Sequence, residues 1–308
     1  MNEKQNETIR VKTSGNRLDT YLVRHFEGAH TRSQILNSIK GGRTTLNGSV
    51  VKSGTILKKG DIIEFEARRH DLPAEPEDIP LNIVYEDEYL MIVNKPRGMT
   101  VHPGAGVRSG TLLNALLYLQ KQGKIGNVER CGIVHRLDKN TAGLMIVAKT
   151  PKAQELLGKM FEYHDVKRTY NGLVDGKLEG KGTIDRHIMR DPKYRTRYTT
   201  TDNERAGRKA ITHWESLGVY KHGQNSVSLV KFNLETGRTH QIRVHMKSIG
   251  RPLIGDPEYN HKSSIKFDGQ LLESVELEFS HPITGEPMKF NIEPSKEFQS
   301  TLIRLTLV

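Results

Sequence analysis

The sequence predicts an α+β fold, in which a largely antiparallel, mixed sheet is interleaved with a few helices. Segments that resemble β-strands outnumber those with helical spacing, and the chain contains no internal repeat and no low-complexity tract. An acidic segment with three prolines interrupts the chain at residues 71–80. We therefore expect a small domain at residues 1–70, a linker at 71–80 and a large domain at 81–308.

The first domain is predicted to be a small α/β module of two helices followed by a hairpin. Residues 16–26 carry apolar side chains at helical spacing, and residues 31–42 repeat this spacing before a glycine pair ends the helix. The dipeptide Asn47-Gly48 is a strong signal for a tight hairpin turn. Alternation of apolar and polar residues over 57–67 then predicts a strand.

The second domain is predicted to mix strands and helices. The final helix, at residues 239–249, should end at Gly250 and bury Ile242, Met246 and Ile249. The other predicted elements are a strand pair within 81–104, a helix at 110–123, a strand at 143–150, a helix at 151–164, a strand at 168–176 and a strand that begins at 226.

Composition excludes several classes of protein. No stretch approaches the roughly 18–20 apolar residues of a membrane helix, and the polar N-terminus lacks the apolar centre of a signal peptide. With a mean hydropathy of −0.58, we expect a soluble, cytoplasmic protein without membrane association. Cys131 is the single cysteine, which rules out an internal disulfide and any multi-cysteine metal site.

The charge of the chain favours a polyanionic partner, although it is also compatible with mere solubility. The formal net charge is +11 and the isoelectric point is near 9.5. Residues 71–90 contain seven acidic residues and no lysine or arginine, so two basic blocks flank an acidic one. This distribution is typical of proteins that bind nucleic acid.

Asp138 stands alone between Arg136 and Lys139, just before an apolar strand. Neighbouring positive charge favours its ionised form, which could serve as base, nucleophile, metal ligand or structural ion pair. Metal binding is disfavoured, because His240 and His245 are five residues apart and a zinc-binding helix pair needs four. A phosphoryl acceptor is disfavoured by the mismatched residues after Asp138, and a glycosidase by the lack of a second nearby carboxylate.

The segment GIVHRLDKNTAGLMIVAKT resembles the signature motif of the RluA/RluD-type pseudouridine synthases. Further segments resemble other motifs of that family, in the same order, although Ala142 and Asn171 are local departures from its pattern. These segments are VNKPRGMTVHPG, KRTYNGLVDG, LETGRTHQIRVHM, which is followed by PLIGDPEYN, and SHPITGEPM. The resemblance covers about residues 81–295.

The resemblance implies conversion of selected uridines in RNA to pseudouridine, without a cofactor or metal. It assigns the essential carboxylate to Asp138, which either adds covalently to the base or ribose or stabilises a detached intermediate. Tyr170 matches the active-site tyrosine and Arg243 the arginine that pairs with the aspartate. The alternatives are that Tyr170 is a core strand tyrosine and that Arg243 is an exposed helix arginine.

Three more residues take supporting roles by the same resemblance. Arg136 matches the residue that enters the space left by a flipped base, although a phosphate clamp is the alternative. His135 adjoins it in the motif, and Ile242 matches an aliphatic residue that packs against the tyrosine. Basic residues at 190–200 and 204–210 are candidates for holding the RNA backbone.

The first domain resembles the S4-like RNA-binding domain over about residues 14–67, through the segments RLDTYL, TRSQILNSIKGGRTTLNG and LKKGDIIEF. The matching positions that would contact RNA are Arg32, Gln34, Lys40 and Arg43. The combination favours large-subunit ribosomal RNA over transfer RNA as the partner, and a monomer. An RNA-binding or ribosome-assembly protein with an idle catalytic motif is the second hypothesis, and an aspartyl phosphotransferase is the third.

Overall fold

The computed structural model describes residues 5–26, 30, 32–67, 74–104, 106–194 and 196–308. The chain separates into two compact units, residues 1–75 and residues 76–308.

The described residues of the first unit form a four-stranded antiparallel sheet and two helices. The strands lie in the order β1-β4-β2-β3. The elements are β1 (Gln5–Arg10), α1 (Leu18–His25), α2 (Arg32–Lys40), β2 (Thr44–Leu46), β3 (Ser49–Val50) and β4 (Ile62–Ala67). Strand β1 was not predicted, because its sequence QNETIR is polar and only its pairing with β4 makes it a strand.

The core of the first unit lies between its helices and its sheet. Leu22 and Ile35 from the helices belong to one buried cluster with Ile63 and Phe65 of β4. The helical and alternating spacings in the sequence therefore produce one shared apolar interior.

The second unit is built on a larger sheet. Its elements are β5 (Asn82–Glu86), β6 (Leu90–Lys95), α3 (Leu112–Lys121), β7 (Ala142–Ala148), α4 (Pro151–Glu162), β8 (Lys167–Asp175), β9 (Lys181–Asp185), β10 (His187–Arg190), β11 (Tyr198–Thr201), β12 (Ile211–His222), β13 (Asn225–Leu234), α5 (Gln241–Ser248), β14 (Leu272–Ser280), β15 (Pro287–Asn291), α6 (Lys296–Ile303) and β16 (Thr306–Leu307). Among the described residues, ten strands form this sheet, with the central order β16-β12-β13-β8-β14-β7-β6-β5.

Strand β14 joins the two halves of this sheet. It pairs antiparallel with β8 and parallel with β7, so that Ser274 lies opposite both Tyr170 and Gly143. Gly143 has a φ of 113°, and a Cβ at this position would overlap the Ser274 carbonyl oxygen. The close approach of the two strands therefore requires glycine.

Strands β6 and β7 are buried on both faces, which explains their continuous apolar sequences. Met91 and Met145 belong to a cluster with Leu116 of α3, whereas Leu90 and Ile146 belong to a second cluster that contains Leu157 of α4. Helix α3 begins at a capping box formed by Thr111 and Asn114, and α4 at a Thr150 cap followed by Pro151.

Helix α5 differs from its prediction at its end. Ile242 and Met246 are buried as expected, but Ile249 is 37% exposed. The prediction for Ile249 was wrong because the helix ends at Ser248, so Ile249 caps the helix instead of continuing its buried face. Across the described residues, no helix combines the length and apolarity needed to span a bilayer.

Candidate active site

The loop that carries Asp138 is attached to strand β7. The backbone N–H of Ile146 donates a 2.8 Å hydrogen bond to His135 Nε2, and the His135 ring stacks on Phe161 with 4.5 Å between centroids. Burial, assisted by the charge of Arg168, lowers the pKa of His135 to about 3. His135 is therefore a neutral acceptor that fixes the loop.

A buried lysine ties this loop to the segment that follows β6. The Lys95 ammonium donates to the carbonyl oxygens of Pro96 and Met99 at 2.9 Å and of Lys139 at 3.2 Å. The residue is 1% exposed, and burial lowers its pKa to about 7. Because Lys139 directly follows Asp138, these hydrogen bonds position the backbone of the loop that carries Asp138.

Arg243 on α5 connects two carboxylates. Its Nη1 donates to Asp138 Oδ2 at 3.0 Å, while Nε and Nη2 donate to the two oxygens of Asp256 at 2.7 and 2.8 Å. Burial opposes the charge of Arg243, but hydrogen bonds and charge from both aspartates raise its pKa. Asp256 is fully buried and thus fixes the guanidinium that holds Asp138.

The two oxygens of the Asp138 carboxylate differ in their contacts. Its side chain is 19% exposed, and Oδ2 faces Arg243 as well as His240 Nε2, which lies 3.9 Å away. The other oxygen, Oδ1, accepts no hydrogen bond from the part of the chain that the structure describes. Asp138 is thus an anchored carboxylate with one oxygen available in the cavity.

Tyr170 lies on β8, opposite Phe232 of β13. It is 6% exposed and belongs to the same apolar cluster as Ile242. Burial raises the pKa of Tyr170, with a further contribution from Asp138. Its phenol is therefore protonated at neutral pH.

These groups surround a cavity of about 520 Å3, which lies within the size range of pockets for small ligands. The described part of its lining contains two carboxylates, Asp138 and Glu162. Five arginines also line it: Arg136, Arg168, Arg208, Arg238 and Arg243. The excess of positive charge favours an anionic ligand.

Comparison with known proteins identifies the family of this chain. A family model described as RNA pseudouridylate synthase matches residues 89–248. The chain belongs to the RNA pseudouridylate synthase family. An S4 domain model matches residues 16–63, so an S4 domain precedes the synthase domain, as the sequence predicted.

Curated relatives match over nearly the full chain. An uncharacterised RNA pseudouridine synthase of Bacillus subtilis is 42% identical and covers 96% of both chains. A protein of Pseudomonas aeruginosa named ribosomal large subunit pseudouridine synthase D is 40% identical over 94% of this chain and 92% of its own length. Among solved structures, human RNA pseudouridylate synthase domain containing 1 matches 75% of this chain and 90% of its own with a TM-score of 0.60. At 23% identity, this match shows a common fold.

The synthase brings together the residues that the sequence singled out in its second domain. Asp138, Tyr170 and Arg243 line one cavity, together with His135 and Ile242. Arg136 is exposed at the same cavity.

The residues proposed to bind RNA in the S4 domain belong to one helix and the turn after it. Arg32 and Lys40 are exposed on α2, and Gln34 is partly buried there. Arg43 follows the glycine turn, where a Cβ on Gly41 would overlap its guanidinium.

The histidines considered as metal ligands do not gather. No cluster of three or more His, Cys, Asp or Glu side chains suited to a metal occurs among the described residues. His245 instead hydrogen bonds to Thr212 Oγ1 at 2.9 Å and to the Arg186 carbonyl oxygen at 3.3 Å. Burial lowers its pKa to about 4, which fits a neutral structural ring.

Sequence reasoning gave no role in this site to four of its residues: Lys95, Arg168, His240 and Asp256. Arg168 is buried at the cavity wall, and its Nε has no hydrogen-bond partner among the described residues. Asp256 lies in the segment PLIGDPEYN, which family resemblance marked without giving it a role. The clue for Asp256 was its Gly-Asp-Pro context, a polar turn shortly after the helix that carries Arg243.

Proposed function

We propose that this synthase converts uridine to pseudouridine in large-subunit ribosomal RNA, with Asp138 as the essential carboxylate. The observation that carries the proposal is the anchored Asp138, with Oδ2 bound by Arg243 and Oδ1 available, in a cavity lined by arginines. Relatives named ribosomal large subunit pseudouridine synthase D support the choice of RNA. The S4 domain supports an RNA substrate in general.

The proposed reaction is an isomerisation. The bond between N1 of uracil and C1′ of ribose breaks, a bond between C5 and C1′ forms, and the hydrogen of C5 leaves as a proton while N1 gains one. No electron is transferred to another molecule, so the reaction as proposed needs no cofactor. Asp138 Oδ1 acts on the base or ribose covalently, or it stabilises the positive charge at C1′ once the base has detached.

The neighbouring residues supply orientation and charge. Arg243 holds the side chain of Asp138 in one orientation, since its Nη1 donates a 3.0 Å hydrogen bond to Oδ2. Tyr170, as a protonated phenol, packs against the base and can donate a hydrogen bond, because burial opposes its ionisation. Arg168 offers its buried guanidinium to the anionic nucleotide.

Binding of the RNA divides between two parts of the chain. A paired uridine must be flipped out of its helix, which costs a few kcal/mol, and exposed Arg136 is placed at the cavity to occupy the vacated space. Arg32, Gln34, Lys40 and Arg43 of the S4 domain contact the RNA and contribute affinity that falls with salt. We propose that the synthase acts as a cytoplasmic monomer.

The experiment measures tritium release from RNA labelled at C5 of uridine, since C5 loses its hydrogen in the reaction. Large-subunit ribosomal RNA and transfer RNA transcripts are compared, with wild type beside Asp138→Asn. We expect release from ribosomal RNA by wild type alone, while Asp138→Asn binds the RNA with similar affinity.

Two outcomes would contradict the proposal. Release by Asp138→Asn at the wild-type rate would remove Asp138 from the chemistry. Release from transfer RNA but not from free ribosomal RNA or large-subunit particles would reject the substrate.

A further inference from the structure

His240 lines the cavity and has a backbone conformation that few non-glycine residues adopt. It caps the N-terminus of α5 with φ 58° and ψ 21°, in the left-handed region. Its side chain is 17% exposed and forms no capping hydrogen bond. Non-glycine residues in this region cluster at functional sites, because the surrounding structure must compensate for the strain.

The hydrogen bonds of Tyr259 determine which nitrogen of His240 carries the proton. The backbone N–H of Tyr198 donates to the Tyr259 hydroxyl at 2.9 Å, and that hydroxyl lies 2.9 Å from His240 Nδ1. Because the backbone N–H of Tyr198 can only donate, the Tyr259 hydroxyl donates its own proton to His240 Nδ1. The opposite tautomer would aim two N–H groups at one hydroxyl and leave the phenolic proton of a buried tyrosine without an acceptor.

The proton of the neutral ring therefore resides on Nε2, which faces Asp138. Nε2 lies 3.9 Å from Asp138 Oδ2, the same oxygen that accepts from Arg243 Nη1 at 3.0 Å. A modest movement of the carboxylate brings Nε2–H within hydrogen-bond range. Both donors then hold Oδ2 and leave Oδ1 to the substrate.

The charged groups around His240 are consistent with a neutral ring. Burial lowers its pKa, and Arg243 lowers it further, against the opposing effect of the nearby carboxylates. These carboxylates belong to Asp138, Asp256 and Glu258.

We propose that Tyr259 and His240 form a positioning pair: Tyr259 fixes His240 with its proton on Nε2, and His240 then determines which oxygen of Asp138 faces the uridine. The effect of this pair on turnover rests on the proposed function. The tautomer is a property of the free protein.

The first test is the nitrogen-15 spectrum of histidine-labelled full-length protein, with the His240 signal assigned by its loss in His240→Asn. We expect a protonated Nε2 and an unprotonated Nδ1 at neutral pH, and in Tyr259→Phe a mixture of both tautomers. A proton on Nδ1 in the wild type, or an unchanged spectrum in Tyr259→Phe, would overturn the pairing even if the RNA substrate is misassigned.

The second test compares two variants, each with an amide side chain at position 240, by single-turnover kinetics on the RNA that wild type modifies. His240→Asn keeps an amide near Nδ1 and tolerates the left-handed backbone, but it lacks the group at Nε2; His240→Gln extends an amide donor towards the Nε2 position. We expect His240→Asn to lower the rate about 10²-fold, the scale of a misplaced reacting group, with RNA affinity within twofold of wild type. His240→Gln should recover a substantial part of the rate.

Two kinetic results would reject the positioning role. The first is a wild-type rate for His240→Asn, and the second is an equal loss in both variants while their melting temperatures match the wild type. Failure of wild type on every RNA would reject the proposed function but leave the nitrogen-15 result to decide the tautomer.

Discussion

Replacing Asp256 by asparagine should destabilise the second unit far more than the same change at a surface aspartate. Asp256 is fully buried, and it accepts both Nε and Nη2 of Arg243 as well as the backbone N–H groups of Glu258 and Tyr259. Asparagine keeps one acceptor oxygen, so its amide NH2 would face a guanidinium N–H. One charge-assisted hydrogen bond is lost, and a buried cation loses half of its compensation.

The expected loss in the free energy of unfolding is about 3 kcal/mol, the lower end for breaking a buried ion pair. For a unit of this size, the loss corresponds to a fall in melting temperature of about 6–12 °C. Trp214, the single tryptophan, lies on β12 of the second unit. Its fluorescence therefore reports the unfolding of that unit in the full-length protein.

The matched control is Asp202→Asn, which alters a bidentate pair with Arg186 that is 81% exposed at the aspartate. Solvent screens this pair, so the control should lose less than about 1 kcal/mol. Equal, small losses in the two variants would refute the conclusion that Asp256 fixes Arg243. Turnover should also fall in Asp256→Asn, measured well below its melting temperature, because Arg243 no longer holds Asp138 in one orientation.

Three further predictions follow from the structure. Gly143→Ala should prevent stable folding because its Cβ overlaps the backbone of β14, whereas Gly158→Ala on α4, where a Cβ meets nothing, should stabilise by up to about 1 kcal/mol; chemical denaturation compares them, and wild-type stability of Gly143→Ala would contradict the close approach. Burial lowers the pKa of Lys95 to about 7, so above pH 7 the unfolded chain binds the additional proton and stability should rise with pH. The rise, up to about 1.4 kcal/mol per pH unit, should appear between pH 7 and 9 in the difference between the free energies of unfolding of wild type and Lys95→Met. Its absence would show that the ammonium stays charged in the folded protein. Arg32→Gln combined with Lys40→Gln should weaken RNA binding and reduce the slope of log affinity against log salt by about 1.4–1.8, with unchanged turnover at saturating RNA; an unchanged slope would remove both residues from the RNA interface.

The sequence predicted the elements whose side-chain periodicity is strong. Helices α3 and α4 and strands β7 and β8 lie within two residues of their predicted bounds, since continuous apolar segments and clear caps mark them. Strands β9 and β12 were not predicted, because most of their side chains are exposed or part-exposed, so neither segment shows a clear alternation of apolar and polar residues.

The candidate site likewise contains residues that the sequence could predict and residues that it could not. Asp138 and Arg243 could be paired from the sequence because both lie in recognisable motifs, and they meet at 3.0 Å. Lys95 ends an apolar strand, where a lysine usually marks the return to solvent, yet it is buried. Asp256 binds Arg243 as well as the backbone N–H groups of Glu258 and Tyr259. Its Gly-Asp-Pro context indicates a turn, but it does not identify Arg243, thirteen residues away, as the partner.

The position of β14 between the two halves of the sheet determines when the sheet can be completed during synthesis. On a ribosome, the halves that contain β7 and β8 emerge early, but β14, which alone joins them in the described sheet, is complete only at Ser280. Until then, β7, which follows the loop of Asp138, and β8, which carries Tyr170, belong to pieces of sheet that share no hydrogen-bonded strand pair. A nascent or truncated chain that ends before β14 therefore exposes two unpaired sheet edges. The candidate site is therefore assembled late in synthesis, when most of the chain has already been made.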